Sequence, residues 1–355
     1  MQDLCRAVRN KEHQVAVSKR EIRLRTRTNK ALTKRRQRIQ VDGVPYRGIK
    51  RRREKHFLLA PQHLDICTKT EETLSFFSKV VDEINICKYG DILFFDLSQV
   101  EYIAPDAVMY LIAIIKNTKR VRRLRLSCCG NFPLGKDAKK MIEDVGFYSY
   151  VRRYDGKITE SNSSFAKVMS GEDANGELAG RFCDFVQQYC NCGMLGTKRL
   201  YPMIIELMTN THQHAYKNTE KEIMNSNWYI FARHIGDDIE LVFLDTGAGI
   251  PATVRKRFFE RIRGLNLTND ASLLKSVLQG DFRTETRQKN RGKGIPGIYE
   301  NACDGAIKEL CIVSGEGKCC VQDKIIISDN LCSKLNGTIF LWKMNGKEHT
   351  ASDCN

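Results

Sequence analysis

Glu206 and Asn210 stand one helical turn apart in the run Glu206-Leu207-Met208-Thr209-Asn210, and residues four apart on a helix share a face. Mg2+ takes oxygen ligands and usually combines one or two protein groups with waters and substrate phosphates, so the amide oxygen of Asn210 is a candidate ligand. Glu206 beside it could polarise a water or an acceptor hydroxyl as general base. Asp245 closes the apolar run Leu241 to Leu244 and opens Asp245-Thr246-Gly247-Ala248-Gly249-Ile250-Pro251. A carboxylate there with no local cation needs a donor, which the amino group of an adenine would supply. Gly247 and Gly249 lack the Cβ atoms that would hold the backbone off a flat base. In Gly292-Lys293-Gly294-Ile295-Pro296-Gly297, Gly292, Gly294 and Gly297 could do the same for phosphates at the start of a helix. Taken singly, these pieces also read as a solvated helix face, a turn opened by Asp-x-Gly and a loop. In this order, the first inside a helical pattern and the second closing a strand, they read as an ATP pocket.

The ordered set resembles the GHKL superfamily, the ATP-binding fold of gyrase, histidine kinases, MutL and a class of heat-shock chaperones, over about Lys198 to Met344. The run from Glu206 to Asn210, continuing to His214-Ala215, is similar to the family's N box. Asp245 to Gly249 is similar to its first glycine box, and Arg291 to Gly297 to its second, where Pro296 departs from the usual small or apolar residue. Asn336-Gly337-Thr338-Ile339-Phe340 resembles the closing strand, which implies that Thr338 meets Asp245 and the adenine. ATP and Mg2+ are the cofactors the resemblance implies. Arg283, Arg287, Lys289, Arg291 and Lys293 gather at the second box. Arg291 and Lys293 are the candidates to clamp a γ-phosphate, since guanidinium groups suit bidentate phosphate contacts; the bland alternative is a solvated face. No G-x-x-x-x-G-K-[ST] phosphate loop is present, and the glycine run does not follow a strand in a compact βαβ unit.

The elements that must position these residues read as α/β (α+β). Between His56 and Val151, strand and helix alternate: Ile92 to Phe95 is a short strand, a helix follows Pro105, Leu124 to Leu126 reads as a strand, and Ala138 to Val145 as an amphipathic helix ending at Gly146. This layout, with Asp96-Leu97-Ser98-Gln99-Val100-Glu101-Tyr102-Ile103 and Met141-Ile142-Glu143-Asp144-Val145-Gly146, resembles a STAS domain. In phosphoswitch members of that family an Asp-Ser pair opens the apolar helix. Here Ala104-Pro105-Asp106 supplies no hydroxyl, so docking or packing is the expected role. The polar stretch Asp155 to Gly176 reads as a linker. Beyond it come a helix from near Glu177, the long helix to about Lys217, strands near Trp228 to His234 and Ile239 to Leu244, a lid from Ala252 to Asn290, and strands near Lys324 to Ser328 and Thr338 to Met344, completing a mixed sheet. The expected organisation is a basic arm (1–55), a STAS-like domain (56–151), a linker and connecting helix (152–196), a GHKL-type domain (197–345) and a tail (346–355).

Charge sets the arm apart. Residues 1–55 hold nineteen Lys or Arg against five acids, a balance of +14, which leaves +2 of the total +16 for the other three hundred residues. Such blocks bind polyanions by counterion release, so RNA or DNA is one expected partner. A solubilising or subunit-bridging extension is the other reading, since aromatic residues that could stack on bases are almost absent before Phe57. The fourteen cysteines lack metal-framework spacing and read as free thiols of a reducing cytosol. A charged start and a longest apolar run of only Ala107 to Ile115 point to no membrane segment and a cytoplasmic protein. Three functions fit: an ATP-dependent switch with slow hydrolysis, regulated by the STAS-like unit and an unidentified protein partner; a serine/threonine protein kinase of the anti-sigma type; and a nucleotide-binding scaffold without turnover. The first is favoured, with oligomerisation left open. A histidine autokinase is disfavoured, because no histidine lies on a dimerisation helix with the acid and proline pattern that class needs.

Overall fold

Short β-branched and aromatic runs separated by helices of apolar periodicity fold as a parallel sheet with helical crossovers. The computed structural model describes residues 53–153, 166–189, 193–215, 226–265, 267–282 and 294–345. The basic segment through Arg52, the Cys190 and Cys192 pair, the stretch with Arg291, Gly292 and Lys293, and the tail beyond Asn345 lie outside them. Lys55–Leu59 (β1), Ile92–Asp96 (β3), Ser127–Gly130 (β5) and Arg152–Arg153 (β6) pair in that order, all parallel, and His63–Leu64 (β2) pairs with Tyr102–Ile103 (β4). Lys55 therefore belongs to a strand, and the contact boundary falls at Arg52. The crossovers carry the helices Thr70–Ile86 (α1), Pro105–Asn117 (α2), Lys119–Leu124 (α3) and Lys136–Asp144 (α4). A strand order that follows the chain, with right-handed crossovers, puts these helices on one face of the sheet. Leu58, Leu93, Phe95 and Cys128 join the helices in the core, whereas Phe57 and Leu59 on the other face are 63% and 58% exposed.

The second sheet runs Leu310–Gln322 (β10), Ile325–Asn345 (β11), Asp238–Asp245 (β9), Trp228–Ile235 (β8) and Ala166–Gly171 (β7). The sequence pattern reads as a mixed sheet, yet every described pairing in it is antiparallel. Two-residue turns, at Gly236-Asp237 and Asp323-Lys324, join β8 to β9 and β10 to β11, and hairpins of this kind require antiparallel partners. Along β9 and β11 the side chains alternate between two cores. Ile239, Leu241, Phe243, Phe340, Trp342 and Met344 pack with the helices Gly176–Tyr189 (α5), Gly193–Ala215 (α6) and Gly294–Cys303 (α10). Val242, Leu244, Ile339 and Leu341 pack in the same core as α1 and α2. The layers are therefore a helical layer of α5, α6 and α10, then the antiparallel sheet, then α1 with α2, then the parallel sheet. The lid stretch is partly helical, as Ile250–Arg257 (α7), Phe259–Gly264 (α8) and Asp270–Gln279 (α9), with a small core of Val254, Ile262, Leu273, Val277 and Phe282.

Two local expectations are corrected. Leu124 to Leu126 is not a strand: Leu124 ends α3, Arg125 takes a positive φ of 50°, and the pairing falls to Ser127–Gly130, whose Cys128 points into the core. The stretch read as a linker contains β7, which forms the sheet edge beside β8, and the Trp228 indole donates to the carbonyl of Asp173 just after it (2.8 Å). Among the described residues no helix is long and apolar enough to cross a membrane.

Helix α2 has no solvent face, with twelve of its thirteen residues buried. It begins with Pro105 at a position that needs no N–H partner. Asp106 follows, fully enclosed, and burial, reinforced by the charges of Asp65 and Glu240, pushes its carboxyl up to about 8. The helix start is thus a packed element, as its lack of a hydroxyl implied.

Because α2 shares one core with both sheets, Ile114→Ala, a fully buried change in α2, should lower stability by about 2–5 kcal/mol. Trp228 and Trp342, both in the second sheet, are the chain's two tryptophans, so urea unfolding followed by tryptophan fluorescence should report the loss. An unshifted midpoint would show that the two halves unfold independently. The raised Asp106 carboxyl sets a pH dependence. The folded chain keeps a proton that the unfolded chain releases near pH 4, so this group's contribution to stability falls as pH rises from about 4 to 8. The stability of Asp106→Asn relative to wild type should therefore increase across that window in denaturation series, and a constant difference would contradict the enclosed, protonated carboxyl.

Candidate nucleotide site

The apolar face of α6 is made by Leu200, Met203, Ile204, Leu207 and Met208, all buried against the antiparallel sheet. Glu206 and Asn210 flank that face and are partly exposed. Gly294 starts α10 and lies so close that a Cβ on it would overlap the Glu206 side chain. Glycine there lets the start of α10 approach the carboxylate. Pro296 and Gly297 fall in the first turn of α10, where the missing N–H of proline sacrifices no helical hydrogen bond. The departure at Pro296 is thus compatible with a helix start at this point. Arg291, Gly292 and Lys293 lie just before it, outside the described residues.

Asp245 and Thr338 are cross-strand partners on β9 and β11. Each continues the alternation that sends Leu241, Phe243, Phe340 and Trp342 toward the helical layer, so both side chains belong to the sheet face that α6 covers. The amide of Gly247 donates to Asp245 Oδ1 (2.8 Å), and the Thr338 side chain hydrogen-bonds the same carboxyl. Burial pushes Asp245 up to about 6, against the lowering pull of these two contacts. Thr338 Oγ1 lies 2.9 Å from Ser314 Oγ, which also accepts from the Ile250 amide (2.9 Å) and donates to the Gly337 carbonyl (2.9 Å). Ser314 thus ties the middle of β11 to the start of α7. Gly249, at the turn from β9 into α7, has φ +83°, and a Cβ there would lie 3.0 Å from both Ser314 Oγ and the Gly337 carbonyl. Gly337 has φ +118°, and a Cβ on it would overlap the Asp245 carbonyl.

Sequence reasoning did not anticipate the support behind this face. Thr246 points the opposite way from Asp245, toward α2, where Asn117 Nδ2 donates to its Oγ1 (3.2 Å) and the Tyr229 hydroxyl donates to Asn117 Oδ1 (3.0 Å). Thr246 Oγ1 also accepts from the Asn227 amide (3.0 Å). One turn and more back along α2, the Tyr110 hydroxyl accepts from the Asn336 amide (3.0 Å). The one visible signal was Asn117, a polar residue just past the long apolar run of α2. Ser314 carried no signal, because β10 itself went unrecognised.

No protein-family model matches the chain, and no curated protein matches it in sequence. The arrangement is therefore read from its chemistry. A half-enclosed carboxylate braced by an amide and a hydroxyl can accept a hydrogen bond from a flat amino-bearing ring. A part-exposed carboxylate and amide one helical turn apart can serve a hard cation and a water.

The hydrogen bonds at Asn117 give a direct check. Asn117→Ala removes one hydrogen bond from the buried Tyr229 hydroxyl and one from Thr246 Oγ1, so unfolding stability should drop by about 1–3 kcal/mol. A mutant with the wild-type urea midpoint would show that this network does not brace the strand end.

Proposed function

We propose that the chain binds ATP with Mg2+ at the end of the antiparallel sheet beneath α6 and works as an ATP-dependent conformational switch with slow hydrolysis. The observation that carries this reading is the meeting of Asp245 and Thr338 across β9 and β11, on the sheet face covered by the helix that bears Glu206 and Asn210. In this reading Asp245 accepts from the adenine amino group, and Thr338 fixes its carboxylate. Gly247 and Gly249 leave room for the base. Asn210 contributes its amide oxygen to Mg2+, and Glu206 orients a water for attack on the terminal phosphate. Gly292, Gly294 and Gly297 bring the start of α10 to the phosphates, with Arg291 and Lys293 as the cationic clamp. These assignments draw support from the GHKL resemblance of the sequence.

Regulation by the STAS-like half follows from the bracing of the site. Thr246 and Asn336, next to or near the adenine-facing pair, hydrogen-bond Asn117 and Tyr110 of α2. A protein partner that shifts α2 would shift the loop that holds the base. The basic segment 1–55 is proposed as a polyanion contact, with nucleic acid as its target. Its binding should show a log-log salt slope of about −0.9 per duplex phosphate neutralised.

Incubation with labelled ATP, followed by separation of released phosphate from phosphoprotein, tests the turnover. The expected product is free phosphate; label on serine or threonine would indicate a kinase instead. Asp245→Asn should weaken ATP binding roughly ten- to hundredfold by calorimetry, the value of one hydrogen bond to a charged group. Wild-type affinity should also fall as pH drops below about 6, where Asp245 gains its proton, and this dependence should be missing in the mutant. Glu206→Ala should keep ATP yet lose on the order of a hundredfold in phosphate release. Equal rates in the two proteins would leave binding without catalysis.

A further inference from the structure

His56, Cys87 and Asp91 offer one nitrogen, one sulfur and one carboxylate oxygen that all lie within 4.8 Å of one another. They come from β1, the residue that caps α1 and the turn leading into β3, so the fold and not the sequence brings them together. Cys87 and Asp91 are 0% and 1% exposed. The turn between them is closed twice: the Lys88 amide donates to Asp91 Oδ2 (2.7 Å) and the Asp91 amide to the Lys88 carbonyl (3.2 Å). Asp91 Oδ1 accepts from the Glu54 amide (3.1 Å). The carboxylate is therefore held in place by backbone amides on both oxygens.

The two ring nitrogens of His56 have different surroundings. Nδ1 meets Glu83 Oε2 at 2.9 Å, a good charge-assisted hydrogen bond, whereas Nε2 faces Asp91 Oδ2 at 3.4 Å. In a tetrahedral zinc site with Zn–N and Zn–O bonds near 2.0–2.2 Å, neighbouring nitrogen and oxygen ligands stand about 3.4 Å apart, and a thiolate stands about 3.6 Å from either. The Nε2 to Oδ2 separation matches an edge of such a tetrahedron, and Cys87 Sγ lies within 4.8 Å of both groups. The carboxylate on the far nitrogen is the usual outer partner of a metal-bound histidine, fixing its tautomer and ring orientation.

We propose that His56 Nε2, Cys87 Sγ and Asp91 Oδ2 bind a divalent zinc-class cation, with Glu83 orienting the histidine and water completing the coordination. A borderline-soft ion suits this mixed nitrogen, sulfur and oxygen set better than Mg2+ or Ca2+, which prefer oxygen alone. The site clips the edge strand β1, which directly follows the basic segment, to α1 and β3. It stands apart from the proposed nucleotide pocket and does not depend on that reading.

The test loads the full chain, stripped with chelator, with Zn2+ or Co2+ alone. Wild type should take up one equivalent of tight metal, and the Co2+ form should show a thiolate-to-cobalt charge-transfer band. Cys87→Ser should abolish that band, and His56→Gln should weaken binding at least a hundredfold. Glu83→Gln, a conservative change at a part-exposed position, should keep the fold and the band but lose roughly ten- to hundredfold in affinity. Chelation should lower the wild-type melting temperature and leave that of Cys87→Ser unchanged. Absence of tight metal in the wild type would overturn the proposal and leave His56 as an ion-pair partner of Glu83 and Asp91. An unaltered cobalt spectrum in Cys87→Ser would overturn it equally, by assigning the metal to other cysteines.

Discussion

A thirteen-residue helix without a solvent face needs an apolar wall on each side, and this requirement organises the whole described structure. On one side α2 has the parallel sheet, through Leu93 and Phe95. That sheet puts all its crossover helices on one face, so their outer surface would lie bare if it ended the fold. The back of the antiparallel sheet, with Tyr229, Phe231, Val242 and Leu244, covers it. Each buried aliphatic or aromatic side chain contributes on the order of 1.5–3 kcal/mol relative to exposure. Two polar residues of α2, Tyr110 and Asn117, hydrogen-bond across the same boundary. They set where the sheet sits against the helix, because a hydrogen bond in a dry interface tolerates little sliding.

The candidate site inherits its geometry from this arrangement. Adjacent residues at the end of β9 point to opposite faces, as any strand requires: Asp245 toward α6, Thr246 toward α2. The period-two rule therefore makes one short backbone segment a member of both the candidate site and the inter-sheet core. The two hydroxyl systems on either side, Thr338 with Ser314 and Thr246 with Asn117, brace the same strand end from both faces. Rigidity of this kind favours a carboxylate held ready for a ligand.

Much of this was legible in the chain, and the gaps have physical causes. The pairing of Asp245 with Thr338 follows from Asp245 closing one apolar run and Thr338 opening another that pairs antiparallel to it, and the helix after Pro105 was visible from its proline and its unbroken apolar run. Which surface that helix would meet was not visible: a helix buried all round has no polar stripe to show its orientation. The strand at Ser127–Gly130 was misplaced because Leu124 and Leu126 mimic strand alternation, while the positive φ at Arg125 leaves no mark in composition. β7 was hidden in a polar stretch, since an edge strand needs few apolar residues. His56 lies thirty-one and thirty-five positions before Cys87 and Asp91, a spacing no local metal pattern covers.

The contacts of α2 also bear on how the chain is made. Tyr110 and its partner Asn336 are 226 residues apart, and Asn117 and Thr246 are 129 apart. On the ribosome, α2 emerges long before either strand that covers it, at synthesis rates of roughly 5–20 residues per second. For tens of seconds its outer surface, aliphatic from Ala107 to Ile115, has no native cover. The parallel sheet cannot shield it, because that sheet occupies the other side. Until β11 leaves the exit tunnel, the amino-terminal half therefore lacks the native cover of its most apolar helix, the condition under which a nascent chain is most exposed to aggregation.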